Sequence, residues 1–172
     1  LWVRPLAAAT RGLNGRELAE LSLMKEAGAV AVSTGRAAIA DAQVMLRLLR
    51  YAAGLKLVVI AHAECPFLTA GAVATESETA TRLGLAAAPA AAEAVQIARD
   101  LRLALEAGAA LHFACVSTRE GIELVRRARA AGQDVTAGTA PAYALLSDIA
   151  LTGYRSFARL SPPLRSEDDR AA

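Results

Sequence analysis

The chain has 172 residues, 55% apolar and 21% charged, a composition typical of one globular domain and not of a disordered chain. Its 19 basic and 17 acidic side chains leave a net charge of +2 and form only short clusters, which gives no basis for binding nucleic acid or a membrane surface. No apolar run reaches the roughly 18 residues of a membrane span, no stretch is typical of a signal peptide, and two cysteines are too few for a disulfide framework, so we expect a cytoplasmic protein.

Short apolar strands and amphipathic helices alternate along the sequence. Strands are predicted within residues 1–10, 29–33, 55–61, 110–117 and 134–139. Helices are predicted at residues 15–28, 37–54, 90–107 and 119–132, with Gly28, Gly54 and Gly108 at C-terminal ends. A long connection without a predicted element separates the third strand from the third helix.

This βαβαβαβαβ order predicts an α/β fold with a parallel sheet. The strands are continuously apolar, and strands without polar alternation are typically buried on both faces, in a parallel sheet covered by helices. Two folds fit the order, an open doubly wound sheet and a closed (β/α)8 barrel of the TIM type. The doubly wound sheet usually carries a glycine-rich phosphate loop, and neither GxGxxG nor GxxxxGK[ST] occurs here.

Polar residues follow several of the predicted strands, and this pattern favours the barrel. In a barrel the carboxyl ends of the strands converge on one mouth, where chemistry takes place. The residues concerned are Ser33 and Thr34, His62 and Glu64, Cys115, Ser117 and Thr118, and Thr136 and Thr139.

The residues at this mouth have structural as well as chemical interpretations. A histidine at a strand end, such as His62, is more often a hydrogen-bonded structural residue than a metal ligand. A cysteine such as Cys115 is usually a small buried hydrophobe, and a zinc set of His62, Cys65 and Cys115 has no recognised ligand spacing. Glu64 is either an acid–base group or the partner of Arg36 or another arginine. The acidic run at 167–169 is most simply the start of a solvated helix.

Five stretches of the sequence resemble the middle of the bacterial dihydroorotases, which are metal-dependent cyclic amidohydrolases with a (β/α)8 barrel. They are "VRPLAAATRGLNGRELAELSLMKEAGAVAVSTGR", "DAQVMLRLLRYA", "VIAHAE", "LHFACVST" and "SPPLRSEDDR". The resemblance implies that the five strands are the third to seventh of the barrel. The strand with the family's His-x-His pair would precede Leu1, and the strand with its catalytic aspartate would follow Ala172.

Residues 1–172 would then form a single, incomplete barrel domain. Five of eight strands leave two unpaired edges and an open core. We therefore expect the chain to be part of a longer protein or to be completed by another chain.

The resemblance also implies zinc, which turns water into hydroxide near neutral pH, and a carboxylate that moves the proton. His62 occupies a ligand position of the family, at the end of the fifth strand. Thr34 stands where relatives have an acidic residue or a carbamylated lysine, and a neutral hydroxyl is a weak zinc ligand. Cys115 stands where relatives have the ligand histidine that precedes "VST", whereas His112 matches a histidine that is not a ligand.

Two further positions depart from the family pattern. Ala142 and Tyr143 stand where relatives often read "TPHH". Ser161 replaces the asparagine that faces substrate before "PPLR".

Two functions stay open at this point. The first, which we favour, is a noncatalytic homologue that assembles with aspartate transcarbamoylase and supports it in pyrimidine biosynthesis, with no cofactor. The alternative is an active zinc-dependent dihydroorotase that interconverts carbamoyl aspartate and dihydroorotate, its metal site completed by residues outside this segment. A hydantoinase-like enzyme is a weaker third alternative. The resemblance to this family also implies that the protein forms an oligomer.

Overall fold

The computed structural model describes residues 1–172. The strands are β1 Leu6–Ala8, β2 Ala31–Ser33, β3 Val58–Ala61, β4 Ala74–Thr75, β5 Ala87–Ala88, β6 Leu111–Phe113 and β7 Val135–Ala137. The helices are α1 Leu21–Glu26, α2 Ala42–Gly54, α3 Glu78–Leu83, α4 Ala91–Ala107, α5 Arg119–Ala130, α6 Pro141–Leu145 and α7 Glu167–Arg170. Short 3-10 helices lie at Arg11–Leu13, Asp148–Leu151 and Ser156–Ala158.

The main sheet has five strands in the order β1-β2-β3-β6-β7, and every neighbouring pair is parallel. This spatial order follows the chain order without a reversal. A doubly wound sheet reverses its order at a switch point, whereas a (β/α) barrel adds each strand beside the preceding one. The predicted α/β fold is therefore confirmed as a partial barrel, with β1 and β7 at its two edges.

One face of the main sheet is buried and the other is open. Val59 of β3 is fully buried, while its neighbour Val58 is 38% exposed. One register row of the sheet lies in the core with α2, α4 and α5: Ala7, Val32, Val59, Leu111 and Val135. The next row lies on the open face and is partly or fully exposed: Ala8, Ser33, Ile60, His112 and Thr136. The helices pack on the outer face alone, and the exposed inner face agrees with the open core expected of five strands of a barrel.

The long helices form where the apolar spacing predicts them. In α4, Ile97, Leu101 and Ala104 recur at three- and four-residue intervals on the buried face. The helix ends at Gly108, which takes the left-handed conformation (φ 60°) that glycine adopts without strain. The C-terminal stop predicted at Gly108 is confirmed.

The first two helices begin later than the sequence pattern predicts. Leu18 forms a β-bridge with Thr10 instead of a helical turn, so α1 begins at Leu21. Asp41 caps α2 by accepting hydrogen bonds from two backbone amides of the first turn, so the helix begins at Ala42. Gly54 is the last residue of α2 and does not lie beyond it.

The connection between β3 and α4 is structured. It holds α3 and a two-stranded parallel sheet of β4 and β5, in which Ala74 pairs with Ala87. These elements contribute to a second apolar cluster with Tyr143, Leu151 and Leu164. Nothing in the molecule is both long and apolar enough to form a helical membrane span.

Candidate functional site

The carboxyl ends of β2 and β3 are joined by a hydrogen bond between two of the predicted site residues. The backbone amide of His62 donates to Oγ1 of Thr34 at 3.0 Å. The imidazole Nε2 of His62 lies 3.2 Å from Oε2 of Glu64, and both residues are buried. Thr34 and the His62 ring therefore have partners within the protein.

Glu64 forms an ion pair with an arginine that the sequence did not identify. Its Oε1 lies 3.4 Å from Nη2 of Arg165, a guanidinium that is only 2% exposed. The hydroxyl of Ser161 donates to Oε2 of Glu64 at 3.2 Å. The arginine partner of Glu64 is thus Arg165 and not Arg36, which lies exposed after β2. Ser161 and His62, both predicted site residues, meet at one carboxylate.

A second carboxylate, Glu93 in the first turn of α4, lies on the other side of Arg165. Its Oε2 is 3.6 Å from Nη2 of Arg165, and its side chain has no exposed surface. It accepts four donors from the turn between β6 and α5, namely the backbone amides and the hydroxyls of Ser117 and Thr118, at 2.5–3.1 Å. Charge-assisted hydrogen bonds of this kind are the strong ones. They fix the turn that carries the end of β6.

Arg165 connects these groups to the rest of the mouth. Its Nε donates to Oγ of Ser117 at 2.9 Å, and its Nη1 reaches Oγ1 of Thr75 in β4 at 3.4 Å. One guanidinium therefore contacts two carboxylates and two hydroxyls. We call this set the mouth network: His62, Glu64, Thr75, Glu93, Ser117, Thr118, Ser161 and Arg165.

Gly121 in the first turn of α5 gives Glu93 the space it occupies. A Cβ at this position would lie 2.7 Å from Oε1 of Glu93 and 2.9 Å from Cδ1 of Ile97. Real Cβ atoms do not approach other atoms so closely, so the glycine is required by the close packing of α4 on α5.

Cys115 follows the last residue of β6 by two positions. Its thiol lies near the Tyr143 hydroxyl, which donates to the carbonyl of Pro162 at 2.7 Å. Burial raises the pKa of the Cys115 thiol, so the neutral thiol is favoured over the thiolate that zinc binds. Burial raises the pKa of Tyr143 as well. Cys115 is partly buried and packs against the second apolar cluster.

The remaining predicted positions lie outside the mouth network. Nδ1 of His112 is 2.8 Å from Oγ1 of Thr136 on the open face of the sheet. Thr139 lines a cavity of about 360 Å³ between α5, β7 and α6. Ala142 precedes the buried Tyr143 in α6 and offers no polar side chain.

The residues present do not fit the zinc that the resemblance implies. No three His, Cys, Asp or Glu side chains are grouped so that they could hold a metal ion. His62 Nε2 faces Glu64, and the carboxylate of Glu64 is bound by Arg165 and Ser161. A zinc site would need ligands in addition to those of residues 1–172.

Sequence reasoning missed the two residues that organise this site. Glu93 and Arg165 are separated from their partners by 24 to 101 residues, and no local pattern marks such pairs. The one available signal for Arg165 was its place in the "PPLR" stretch.

Comparison with known proteins relates the chain to one family and one fold. Residues 1–121 match the sequence model of the family described as "Dihydro-orotase-like". The chain is 48% identical over 170 residues to a dihydroorotase of Pelotomaculum thermopropionicum and 42% identical over 170 residues to one of Trichlorobacter lovleyi, covering 99% of this chain and 40% of each relative. It therefore spans about 40% of the length of these curated relatives.

Solved structures share the fold at lower sequence identity. The L-hydantoinase of Arthrobacter aurescens superposes with a TM-score of 0.76 at 24% identity, over 95% of this chain and 38% of that one. A D-hydantoinase from a Bacillus species gives a TM-score of 0.70 at 23% identity, over 87% of this chain and 35% of that one. Likeness at this level of identity concerns the fold.

Proposed function

We propose, from the premise that this chain belongs to the dihydro-orotase-like family, that the protein carrying it is a noncatalytic dihydroorotase homologue of pyrimidine biosynthesis. Its role would be to assemble with aspartate transcarbamoylase in the cytoplasm and support that enzyme. The single observation that carries this proposal is that the ring of His62, the one retained ligand position, faces Glu64 of the mouth network, with no metal-holding group of side chains around it.

The ion pairs of Arg165 supply the first support. A carboxylate at the mouth of a metal enzyme must be free to bind the ion or to move a proton. Glu64 and Glu93 instead share one buried guanidinium, and Glu64 also binds Ser161 and His62. Buried carboxylates that are paired in this way do not need a metal ion for charge compensation.

The replaced ligand positions supply the second support. Thr34 accepts the backbone amide of His62, and the Cys115 thiol lies against Tyr143. These two side chains come from different strand ends, so one compensating change would not restore both. A protein selected for structure and assembly needs a well-packed mouth, but it does not need metal ligands at these two positions.

Purified protein decides between this role and catalysis. We expect substoichiometric zinc by elemental analysis, no turnover of dihydroorotate or carbamoyl aspartate, and co-migration with aspartate transcarbamoylase on a sizing column. Stoichiometric zinc together with turnover of dihydroorotate would refute the noncatalytic role. If zinc and turnover are absent and the protein does not co-migrate, the assembly with aspartate transcarbamoylase is refuted. The noncatalytic character of the protein would still hold.

The second candidate is an active dihydroorotase that hydrolyses the cyclic amide of dihydroorotate or forms it from carbamoyl aspartate. One observation favours it: His62 keeps a ligand position at the mouth, in a chain 42–48% identical to proteins named dihydroorotase. Zinc would then supply the hydroxide, with the rest of its ligands outside residues 1–172. The same zinc and turnover measurements test this candidate.

A further inference from the structure

A small cleft on the surface of the second apolar cluster has a lining that none of the functions above uses. It lies between the 3-10 helices of residues 148–158 and the two-stranded sheet, and its volume is about 120 Å³. We call it the arginine cleft, after two of its lining residues. Its lining consists of Val73, Leu85, Leu151, Tyr154, Arg155, Ser156 and Arg159.

The two arginines of the cleft have no acidic partner. Arg155 and Arg159 are both exposed, and neither has a carboxylate oxygen within 4.0 Å. No acidic residue lines the cleft. The adjoining helix α3 contributes Glu78, but Arg82 of the same helix already binds it. The cleft therefore presents two uncompensated positive charges above an apolar floor.

The segment that supplies most of the cleft's lining also carries several exposed large apolar side chains. Within residues 145–157, Leu145, Ile149, Tyr154 and Phe157 are 62–75% exposed. Single exposed apolar residues are ordinary, whereas several in one short segment mark a surface that binds something. Aromatic residues and arginine are the types enriched in protein interfaces and in their most energetic positions.

The volume of the cleft limits the kind of ligand that it can hold. Small-molecule sites usually measure roughly 300–1,000 Å³, so the arginine cleft is too small for such a ligand. It has about the volume of one apolar side chain. Arginine binds carboxylates with paired, charge-assisted hydrogen bonds, so acidic residues should flank that side chain.

We propose that the arginine cleft and the apolar side chains beside it form a docking site for a partner protein, which inserts a leucine or phenylalanine flanked by aspartate or glutamate. This site goes beyond the proposed function, because it requires no loss of catalysis. Of the three measurements below, only the second depends on the proposed function.

The first test uses the full protein and a fluorescent peptide that carries Asp-Glu-Leu-Phe-Asp-Glu. Fluorescence anisotropy should show binding that weakens at least tenfold in the double variant Arg155→Glu, Arg159→Glu and that falls with added salt. The peptide Lys-Lys-Leu-Phe-Lys-Lys should not bind. The matched control is Arg47→Glu, Arg50→Glu on α2, which changes the charge equally at two exposed arginines without a carboxylate partner and should bind as wild type. No binding of the acidic peptide, or equal binding by both double variants, would overturn the proposal.

The second test uses aspartate transcarbamoylase as the partner. Reversal of Arg155 and Arg159 should weaken the complex at least tenfold, measured by analytical ultracentrifugation. A wild-type complex that the reversal leaves unchanged would overturn the docking site and leave the proposed function standing. Absence of any wild-type complex would count against the proposed function, and the peptide result would then decide the docking site.

A third measurement asks whether the rest of the same protein covers the cleft. Phenylglyoxal should modify Arg155 and Arg159 of the full protein as fast as Arg47 and Arg50, read by mass spectrometry. Protection of the two cleft arginines in the absence of any partner would overturn the proposal, because the occupant would then be the protein itself.

Discussion

The backbone amide of His62 donates to Oγ1 of Thr34 at 3.0 Å, so the side chain that ends β2 is hydrogen-bonded to the residue that follows β3. A hydroxyl in this arrangement stabilises the mouth but contributes no charge to a metal site. A carboxylate in place of this hydroxyl would supply that charge, which leads to the first prediction.

Restoring ligands at two strand ends should increase zinc retention. The double variant Thr34→Asp, Cys115→His supplies a carboxylate and an imidazole, the two ligand types that zinc prefers alongside thiolate. Elemental analysis of purified protein should show more zinc per chain than in the wild type. The control Thr34→Ser, Cys115→Ser adds no ligand and should retain as little zinc as the wild type. Equal zinc in the two variants would contradict the prediction.

Removing the charge of Glu93 should strongly destabilise the protein. Glu93→Gln replaces an oxygen that accepts buried donors with an amide group that donates, and it leaves Arg165 with one carboxylate. Breaking a buried, hydrogen-bonded charge pair costs about 3–5 kcal/mol, and urea denaturation should show a loss of unfolding free energy in this range. The exposed and unpaired Glu106 provides the control, because Glu106→Gln should change stability by less than about 0.5 kcal/mol.

Two glycine-to-alanine substitutions should have opposite effects. Gly121→Ala places a methyl group 2.7 Å from Oε1 of Glu93, and overpacking of this kind costs about 1–3 kcal/mol. Gly54→Ala at the end of α2 meets no atom within 4 Å and should stabilise the protein by about 0.5 kcal/mol, since alanine loses less entropy in a helix. Thermal unfolding should show a lower Tm for the first variant and an equal or higher Tm for the second. A neutral Gly121→Ala would mean that α4 and α5 are less tightly packed than described.

The cap of α2 should contribute a measurable part of stability. Oδ1 of Asp41 accepts from the amides of Gln43 at 2.7 Å and Val44 at 3.2 Å. Asp41→Ala removes both bonds and should cost about 1 kcal/mol, while Asp41→Asn keeps an accepting oxygen and should cost a few tenths. Chemical denaturation of both variants measures the difference, and equal losses would mean that the helix dipole and not the cap dominates.

Alkylation of Cys115 should require a higher pH than alkylation of an ordinary cysteine. Burial raises the pKa of this thiol above the ordinary 9.0, so at any pH near 8 the thiolate fraction is smaller than in a free cysteine. Because only the thiolate reacts, the rate of iodoacetamide addition should keep rising beyond pH 9. The measurement is made in Cys65→Ser protein and is read by mass spectrometry on the peptide that contains Cys115, with a free cysteine peptide as reference. A rate that levels off below pH 9 would contradict the prediction.

The sequence predicts the elements that depend on local pattern. The helices α4 and α5 and all five strands of the main sheet lie within predicted stretches, because apolar spacing and glycine stops are local signals. The two-stranded sheet of β4 and β5 was missed, since strands of two residues have no periodicity.

The candidate site was predictable only in part. Thr34, His62 and Cys115 could be placed at the mouth, because polar residues after parallel strands meet at one end of a barrel. Ser161 could be named only from the family resemblance. The pairing of Glu64 with Arg165 could not be predicted, because it depends on how residues far apart in the chain meet in space.

The position of Arg165 in the chain has a consequence for the order of folding. It follows Glu64 by 101 residues, so it leaves the ribosome after both carboxylates that it neutralises. Until then, a nascent chain that had already packed α4 against β6 would hold Glu64 and Glu93 in a low-dielectric interior with no cation between them. The closing of the mouth is therefore a long-range event that waits for Arg165, and the segment that carries this residue makes the earlier packing favourable.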